Sequence, residues 1–263
     1  MPYRIDLPDG DDSALCQLIE LGALDVERSA SGVAAVMPDS VTPQQLEQLL
    51  GTRELAVSPA VGRDADSVWI LAPRPFQLRR LRIVPADFRG ERDAVRLIDA
   101  PAFGTGLHPT TGLCLAALED AVENALPDRV LDVGTGSGVL ALAALKLGVP
   151  RAVGLDLDGD ALRTAAQNAR LNGAGDRLRL IRGGPEAIAG TWPLVLANVL
   201  AAPLIAMAPA LARLVGHHGR IILSGIPSSV EPDVDRAYRH VGMRHIEVKS
   251  RTGWVALVLQ ATW

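Results

Sequence analysis

The length, composition and charge of the chain limit the class of protein it can be. Its 263 residues suffice for one large domain or two, and 48% hydrophobic with 21% charged residues favours neither a disordered nor a membrane protein. A net charge of −4 gives no global basic field of the kind that drives non-specific binding to nucleic acids. Without an apolar run of about 18 residues or the basic-then-apolar start of a signal peptide, we expect a cytoplasmic protein with no membrane contact. The 2 cysteines form no CxxC, which favours reduced thiols, and the sequence predicts no metal site.

Residues 1–62 are predicted to form a small α+β domain. Thr42 fits the N-cap of its second helix, and Pro43 fits the first helical position. A further strand is expected before the domain ends. The other predicted elements are strands at 3–7 and 32–38 and helices at 13–24 and 42–50. Residues 63–96, rich in proline and arginine, are predicted to be a linker that leads into an irregular strand pair.

Residues 97–263 are predicted to form an α/β domain with a parallel sheet. Continuous apolar strands alternate with helices, which is typical of a sheet covered on both faces. The last two apolar runs flank Gly253, so they are expected to form a hairpin whose last strand runs antiparallel to the others. The other expected strands are 129–134, 152–157, 178–183, 194–200 and 219–226, and the expected helices are 139–147, 160–171 and 204–215.

A glycine-rich loop joins the first of these strands to its helix. In DVGTGSG, Gly134, Gly136 and Gly138 let the backbone turn sharply and approach a ligand, while the helix start offers unpaired amide groups. An ordinary strand-to-helix turn is the alternative, but it often has only one glycine. A dinucleotide fingerprint requires G-x-G-x-x-G, and Val139 stands where its third glycine should be. The loop therefore fits a NAD site poorly, which argues against a dehydrogenase.

Two acidic residues are associated with this loop. Asp132 is predicted to lie at its mouth, where a carboxylate would repel a pyrophosphate and favour a cationic ligand. Asp156 ends the second strand at the spacing where an acid commonly accepts hydrogen bonds from ribose hydroxyls, although a solvated loop carboxylate is the alternative. The combination favours a nucleoside ligand that has a positive centre and no pyrophosphate. S-adenosylmethionine has both properties.

Asn198 interrupts the apolar run LANVLAAPL at the end of the fourth strand. Open α/β sheets bind ligands in the crevice at the carboxyl ends of their strands, and Asn198 is expected to face it. A buried asparagine needs hydrogen-bond partners for its amide. A structural turn contact and a ligand contact explain the residue equally well from spacing alone.

The sequence contains six recognisable segments in this order: AFGTGLHPTT, VLDVGTGSGVLALAALKLG, GLDLD, QNARLNG, LANVLAAPL and LSGI. Together they closely resemble the PrmA family, the bacterial methyltransferases of ribosomal protein eleven of the large subunit. The similarity is strong over residues 97–226, and FGTG-x-HPTT is the most diagnostic part because it is rare outside that family. The resemblance implies a class I Rossmann-like methyltransferase sheet with a small α+β N-terminal domain that recognises the substrate.

The resemblance also implies S-adenosylmethionine as the cofactor. The contacts that carry over are Thr111, Gly134, Asp156 and Asn198. The segment before the HPTT helix is expected to be a loop over the cofactor in which Phe103 excludes water, and a tight turn before a helix N-cap is the alternative. The residues expected in that loop are Phe103, Gly104, Thr105, Gly106 and His108.

The chemistry of methyl transfer gives two of these residues a catalytic role. Transfer from a sulfonium is an in-line displacement, which needs alignment and exclusion of water rather than a covalent residue. Asn198 is expected to orient the accepting amine through its oxygen, and His108 to position it rather than act as a base. Amide methyltransferases carry an Asn-Pro-Pro-Tyr type segment at this strand, whereas this sequence has NVLA. An amino group is therefore the expected acceptor.

The sequence thus predicts a monomeric enzyme that methylates lysine side chains and the N-terminal amine of a large-subunit ribosomal protein. The alternatives are a relative that methylates another protein or a small molecule, and a non-catalytic ribosome-associated factor that binds the cofactor. A group of arginines is compatible with a contact to ribosomal RNA or to an acidic partner, but a solvated linker face is favoured. These arginines are Arg74, Arg79, Arg80 and Arg82.

Overall fold

The chain folds into two compact units, Met1–Pro73 and Arg74–Trp263. The computed structural model describes residues 2–8, 10–29, 32–51, 55–60, 75–88, 93–98, 108–251 and 253–263. The boundary at residue 73 assigns the described strands between 76 and 97 to the larger unit. The functional division into residues 1–62, 63–96 and 97–263 stays a prediction.

The smaller unit contains an antiparallel sheet and two helices. Its described elements are β1 (Tyr3–Leu7), α1 (Asp12–Glu20), β2 (Asp25–Ser29), β3 (Gly32–Met37), α2 (Pro43–Leu50) and β4 (Ala56–Pro59). The strand order is β2-β3-β1-β4, which leaves β4 at an edge. Ile5 and Leu7 from β1 pack with Leu18 of α1 and Leu46 of α2 in the core. The helices therefore cover one face of the sheet.

The ends of the two helices follow from local hydrogen bonds. Thr42 Oγ1 accepts from the Gln45 amide at 3.3 Å and Gln45 Oε1 accepts from the Thr42 amide at 2.7 Å, which is a capping box. With Pro43 at the first position, the predicted start of α2 is confirmed. Helix α1 ends at Glu20 rather than at residue 24, because the left-handed Gly22 (φ +85°) turns the chain towards β2, a strand that the sequence analysis did not predict.

The larger unit is built around a seven-stranded sheet of order β10-β9-β8-β11-β12-β14-β13. Its described elements are β5 (Phe76–Gln77), β6 (Arg82–Pro85), β7 (Val95–Leu97), α3 (Pro109–Asn124), β8 (Arg129–Val133), α4 (Val139–Lys146), β9 (Arg151–Asp156), α5 (Gly159–Leu171), β10 (Leu178–Arg182), β11 (Trp192–Asn198), α6 (Ala201–Leu214), β12 (Val215–Pro227), α7 (Glu231–His240), β13 (Met243–Arg251) and β14 (Trp254–Ala261). Strands β8 to β12 pair in parallel, and β14 runs antiparallel to both of its neighbours. The predicted α/β fold with a terminal hairpin is confirmed.

The order of the strands fixes where a ligand would bind. From β8 the chain moves outwards to β9 and β10, and then crosses back to add β11 and β12 on the other side. The connections therefore reverse direction between β8 and β11. In open α/β sheets such a switch point leaves a crevice at the carboxyl ends of the two strands.

Apolar layers cover both faces of this sheet. Leu115 and Leu118 of α3 pack with Leu140 of α4 on one face, while Leu204 of α6 and Tyr238 of α7 pack on the other. The buried Tyr238 hydroxyl donates to the Leu204 carbonyl at 3.1 Å, so this polar group is satisfied inside the core. Across the described ranges, no helix combines the length and the apolar character needed to cross a membrane.

Three features of the larger unit differ from the sequence expectation. Helix α6 begins at Ala201 rather than at 204, because Pro203 is tolerated in a first helical turn. Helix α7 was not predicted, since its charged sequence buries only Val234 and Tyr238. Strand β7 pairs with β6, so β5, β6 and β7 form a three-stranded sheet where a strand pair was expected.

The arginines near residue 80 are partly engaged inside the larger unit. Arg79 pairs with Asp120 at 2.9 Å and with Glu123 at 2.7 Å, both on α3. The guanidinium of Arg82 lies over an aromatic ring at 5.8 Å from its centroid. Arg74 falls outside the described residues. Intramolecular contacts therefore account for part of the cluster that the sequence analysis placed on a solvated face.

Glu119 attaches the small three-stranded sheet to α3. Its side chain is 2% exposed, and Oε1 accepts hydrogen bonds from the Arg80 amide at 2.6 Å and the Leu81 amide at 2.7 Å. Both amides belong to the turn between β5 and β6. One buried carboxylate therefore fixes that turn on the helix.

Replacing Glu119 by Ala should lower the free energy of unfolding by about 2–3 kcal/mol, because two amides lose a charged acceptor. Glu123→Ala is a matched control on the same helix, since its exposed ion pair with Arg79 is worth less than about 1 kcal/mol. Urea unfolding followed by tryptophan fluorescence measures both. Equal losses in the two variants would contradict the attachment role of Glu119.

Candidate active site

Three predicted site residues lie together at one edge of the main sheet. Strands β9, β8 and β11 are neighbours in parallel, so their carboxyl ends meet at this edge. Gly134 follows β8, Asp156 ends β9 and Asn198 ends β11. The structure therefore brings the glycine loop, the acid and the asparagine to the predicted crevice.

The glycine loop has a backbone conformation that requires glycine. Gly134, Gly136 and Gly138 have φ angles of +71°, +54° and +83°, all in the left-handed region. A Cβ on Gly134 would also lie 2.4 Å from Val199 Cγ1, and one on Gly138 would lie 3.2 Å from Ala165 Cβ. Backbone geometry therefore accounts for all three glycines, and close packing adds a second reason at Gly134 and Gly138.

Asp156 organises the loop from the neighbouring strand. Its Oδ2 accepts from the Gly136 amide at 2.9 Å, and its Oδ1 accepts from the Asp158 amide at 3.0 Å. A carboxylate accepts up to about four hydrogen bonds, so the half-buried Asp156 keeps acceptor capacity for hydroxyl groups. Asp158 is the exposed N-cap of α5 and accepts from the Asp160 amide at 2.9 Å.

Asp132 does not lie at the mouth of the loop, where the sequence analysis placed it. It is fully buried beneath the loop, and its Oδ2 accepts from Thr135 Oγ1 at 2.7 Å and from the Ala141 amide at 3.2 Å. The N-cap residue of α4 is Gly138, which has no side chain, so Asp132 caps the helix from β8 instead. Burial raises the pKa of its carboxyl to about 7.

The HPTT segment begins α3 and holds Asn198 from the side. Thr111 is fully buried, and Asn198 Nδ2 donates to Thr111 Oγ1 at 3.3 Å. Asn198 is 7% exposed, and its Oδ1 has no hydrogen-bond partner among the residues that the structure describes. An unsatisfied buried acceptor costs about 1–3 kcal/mol. Asn198 therefore presents an oxygen that a donor from a bound molecule would satisfy.

His108 is the N-cap of α3 and carries an uncharged ring. Its Nδ1 lies 2.7 Å from Thr110 Oγ1 and accepts a longer bond of 3.4 Å from the Thr110 amide. Burial lowers the pKa of the imidazole to about 4, so the ring is neutral near pH 7. It also meets the ring of Trp254 edge to face, with centroids 5.2 Å apart and planes at 70°. These contacts favour positioning over proton transfer.

Ser224 is a residue of the site that the sequence analysis missed. It is fully buried, pairs in register with Asn198, and its Oγ lies 3.0 Å from the Thr110 carbonyl and 3.3 Å from the Val255 carbonyl. Ser224 therefore links β12 to the start of α3 and to β14. The family resemblance includes the segment LSGI but implies no role for its serine. Trp254 carried no comparable signal.

The turn after Asn198 is held between two glycines. Gly134 approaches the side chain of Val199, and Gly225 on β12 (φ +85°) would place a Cβ 2.2 Å from the Val199 carbonyl oxygen. Neither position tolerates a larger residue without movement of the turn. The predicted loop residues Phe103, Gly104, Thr105 and Gly106 lie outside the described residues, and their role stays a prediction.

Replacing Asp132 by Asn should change how stability depends on pH. Because the pKa in the fold, about 7, exceeds the unfolded value of 3.8, the folded state binds more protons between these values, and stability falls as pH rises through this window. The slope approaches about 1.4 kcal/mol per pH unit. Asparagine keeps an acceptor but does not titrate, so the variant should gain on the wild type between about pH 5 and pH 7. Urea unfolding across that range measures the difference, and parallel curves would contradict it.

Comparisons with known proteins identify the family. A family model described as ribosomal protein L11 methyltransferase (PrmA) matches residues 43–262. The ribosomal protein L11 methyltransferase of Chromohalobacter salexigens is 39% identical over 241 residues, which cover 90% of this chain and 76% of that protein. The one of Xylella fastidiosa is 36% identical over 263 residues, which cover 95% and 83%. The crystal structure of ribosomal protein L11 methylase from Lactobacillus delbrueckii subsp. bulgaricus is 30% identical and superposes with a TM-score of 0.66, covering 72% of this chain and 100% of that one.

These similarities confirm the predicted fold class, a Rossmann-like methyltransferase sheet, and the predicted cofactor, S-adenosylmethionine. The family model covers the smaller unit only in part, since it begins at Pro43, the first residue of α2. Together with the geometry at the sheet edge, they show that the chain is an S-adenosylmethionine-dependent methyltransferase that belongs to the ribosomal protein L11 methyltransferase (PrmA) family.

Proposed function

We propose that the enzyme methylates amino groups of ribosomal protein L11, on lysine side chains and at the N-terminus. The relatives described above are named for activity on that protein. The observation that carries the choice of acceptor is the buried, unsatisfied Oδ1 of Asn198. An amine has N–H groups to donate to this oxygen, whereas an ionised carboxylate acceptor has no donor to offer.

The residues at the sheet edge fit S-adenosylmethionine, which when bound supplies an electrophilic methyl group on a sulfonium. Gly136 carries no side chain and leaves the main chain of the loop open to close approach, while Gly134, whose missing Cβ makes room for Val199, is proposed to contact the ligand through its backbone. Asp156 keeps acceptor capacity for ribose hydroxyls. Thr111 and Asn198 complete the proposed contacts. Asp132 supports the loop from below, through its bonds to the loop and to α4.

Asn198 is proposed to orient the accepting amine. Its Oδ1 accepts one N–H of the uncharged amine, which turns the nitrogen lone pair in a defined direction. The bond from its Nδ2 to Thr111 Oγ1 holds the amide on one side and leaves Oδ1 for the substrate. Thr111 is itself held because Ser224 anchors the start of α3 through the Thr110 carbonyl. Orientation by this chain of contacts replaces the need for a covalent residue.

His108 is proposed to position the substrate without taking its proton. A free lysine amine has a pKa of about 10.4, so it must lose a proton before it can accept a methyl group. An imidazole whose pKa is about 4 is a weak base for that step. Its neutral ring nevertheless helps, because it adds no positive charge beside a group that arrives as a cation. The proton therefore leaves to water before the amine is enclosed.

A non-catalytic factor fits the site less well. The unsatisfied Asn198 oxygen costs stability, and a scaffold that never binds an amine would gain nothing in return. The position of the Asp156 carboxylate at the crevice likewise supports a ligand contact rather than a partner surface. A relative that methylates another amine remains the alternative that activity measurements must separate.

We assign substrate recognition to the smaller unit and propose a monomeric enzyme in the cytoplasm. Strand β4 supports recognition, because it is an exposed edge strand on which Val57 is 47% exposed. A contact with ribosomal RNA is proposed through the exposed Arg80, since Arg79 is already paired with acids of α3. Sedimentation of the pure protein tests the oligomeric state.

Asn198→Ala should lower methyl transfer to purified ribosomal protein L11 by about 100-fold, because the amine loses its orienting acceptor. Thr111→Val should lower it by about 10-fold, because the Asn198 amide then loses its anchor. Labelled S-adenosylmethionine and intact mass measure both, and Asn124→Ala, at the exposed far end of α3, is the matched control. Wild-type protein that binds cofactor but adds no mass to L11 would move the search to other amine substrates. Retained activity in Asn198→Ala would contradict the orienting role.

Asp156→Ala should weaken binding of S-adenosylhomocysteine by about 10-fold or more, since hydrogen bonds to a charged acceptor contribute about 1.5–3 kcal/mol. Asp158→Ala is the control, because it removes the N-cap of α5 without touching the crevice. That variant should lose about 1 kcal/mol of stability and keep its affinity. Titration calorimetry gives the dissociation constants. Equal affinity losses in the two variants would show that Asp156 acts only through the fold.

A further inference from the structure

Trp254 lies at the same edge of the sheet as Asn198, although the two residues are far apart in sequence. It begins β14 and pairs with Pro227, the last residue of the antiparallel neighbour β12. On β12, Ser224 pairs with Asn198 and also bonds to the carbonyl of Val255, the residue after Trp254. The start of β14 therefore lies at the same end of the sheet as the carboxyl end of β11, with β12 between them.

Trp254 also contacts the helix that anchors Asn198. Its ring meets the His108 ring at 5.2 Å in an edge-to-face arrangement, and His108 caps α3 three residues before Thr111. Trp254 is half-buried, so part of its surface stays accessible. Most of the side chains that fill the core of this sheet are aliphatic, so the packing alone does not require an indole at this position. Aromatic residues make up only 3% of the chain, which makes this position unusual.

We propose that Trp254, backed by His108, forms an aromatic wall of the acceptor subsite that holds the amino nitrogen and its methylated forms. This inference rests on the proposed methylation of amino groups. An indole face attracts ammonium groups, and the attraction grows in effect as methyl groups weaken hydration of the cation. Asn198 would then orient the nitrogen through a hydrogen bond, while Trp254 contacts the methyl and methylene groups bound to that nitrogen.

The wall matters most after the first methyl group has been added. In each round the nitrogen loses one proton to water and then forms one N–C bond, while the electron pair of the broken C–S bond stays on sulfur. Each round removes an N–H that Asn198 can hold, so the hydrogen bond becomes less available as methylation proceeds. The indole keeps its affinity for the methylated group. Trp254 is therefore expected to support the later transfers more than the first one.

The test compares Trp254→Leu and Trp254→Phe with the wild type on purified ribosomal protein L11. Intact-mass time courses give the rate of each successive methyl addition. Trp254→Leu should slow the second and later additions by about 10-fold relative to the first, which corresponds to about 1.4 kcal/mol of cation–π attraction. Trp254→Phe should keep most of the later additions, because phenylalanine retains an aromatic face.

Trp263→Leu is the matched control. Trp263 lies beyond the other end of β14, which has 8 residues, and so about 25 Å from Trp254. Its ring packs near Gly242, at the opposite edge of the sheet, and its replacement should leave the ratio of the steps unchanged. Thermal unfolding and the affinity for S-adenosylhomocysteine show whether each variant is folded and loaded normally.

The outcomes separate this inference from the proposed function. Wild-type enzyme that adds no methyl group to an amine would overturn both. A normal wild type together with an unchanged ratio of steps in Trp254→Leu would overturn the aromatic wall alone. A uniform slowing of all steps, shared equally by the Leu and Phe variants, would assign Trp254 to packing and would also overturn it. A selective loss in Trp254→Leu with rescue by phenylalanine supports it.

Discussion

The close approach of two backbone segments to Val199 is the constraint on which the site depends. Gly134, at the end of β8, leaves room for the side chain of Val199, and Gly225 on β12 leaves room for its carbonyl oxygen. Both glycines have left-handed φ angles that other residues adopt only with strain. The turn is thereby held from both neighbouring strands. Asn198, which precedes it, cannot shift without displacing one of them.

The hydrogen bonds that hold the Asn198 side chain depend on this fixed turn. The amide is held by Thr111, and the helix that carries Thr111 is held by Ser224 at its start and by Glu119 further along. Each of these polar groups is buried and has a partner, so the network is stable inside an apolar sheet. The Asn198 oxygen stands apart because the described residues leave it without a donor. An unsatisfied group inside an otherwise satisfied network is where a substrate gains most from binding.

The sequence predicted the parts of the site that depend on periodicity and spacing. Gly134, Asp156 and Asn198 each follow or end an apolar run, and parallel strands bring such positions to one edge. The sequence did not predict contacts between residues that are far apart in the chain. Thr111 and Asn198 are 87 positions apart, and nothing in their local sequence indicates that they form a hydrogen bond. Trp254 meets His108 only because a hairpin adds β14 next to β12.

The same limit explains why the sequence pattern did not predict α7 and predicted α1 to be too long. Helix α7 buries only Val234 and Tyr238, so its apolar period is too weak to stand out from a charged loop. In the segment after α1, an apolar periodicity continues past Glu20, but the left-handed Gly22 ends the helix and frees Leu24 to bond with β3. The local sequence pattern indicates which face of an element is apolar. It does not indicate whether another element packs against that face.

Asp132 shows how a correct conclusion can rest on the wrong contact. From the sequence, this carboxylate is expected to repel the phosphates of a dinucleotide at the mouth of the loop, but the carboxylate is buried. The structure supplies a different reason for the same exclusion. Asp132 occupies the Ala141 amide in the first turn of α4, one of the donors that a phosphate at a helix N-terminus would need. Gly138 meanwhile packs against Ala165 of α5 and so serves helix packing. The loop is thus closed to an anion from beneath, while its upper side stays open to an uncharged ribose held by Asp156.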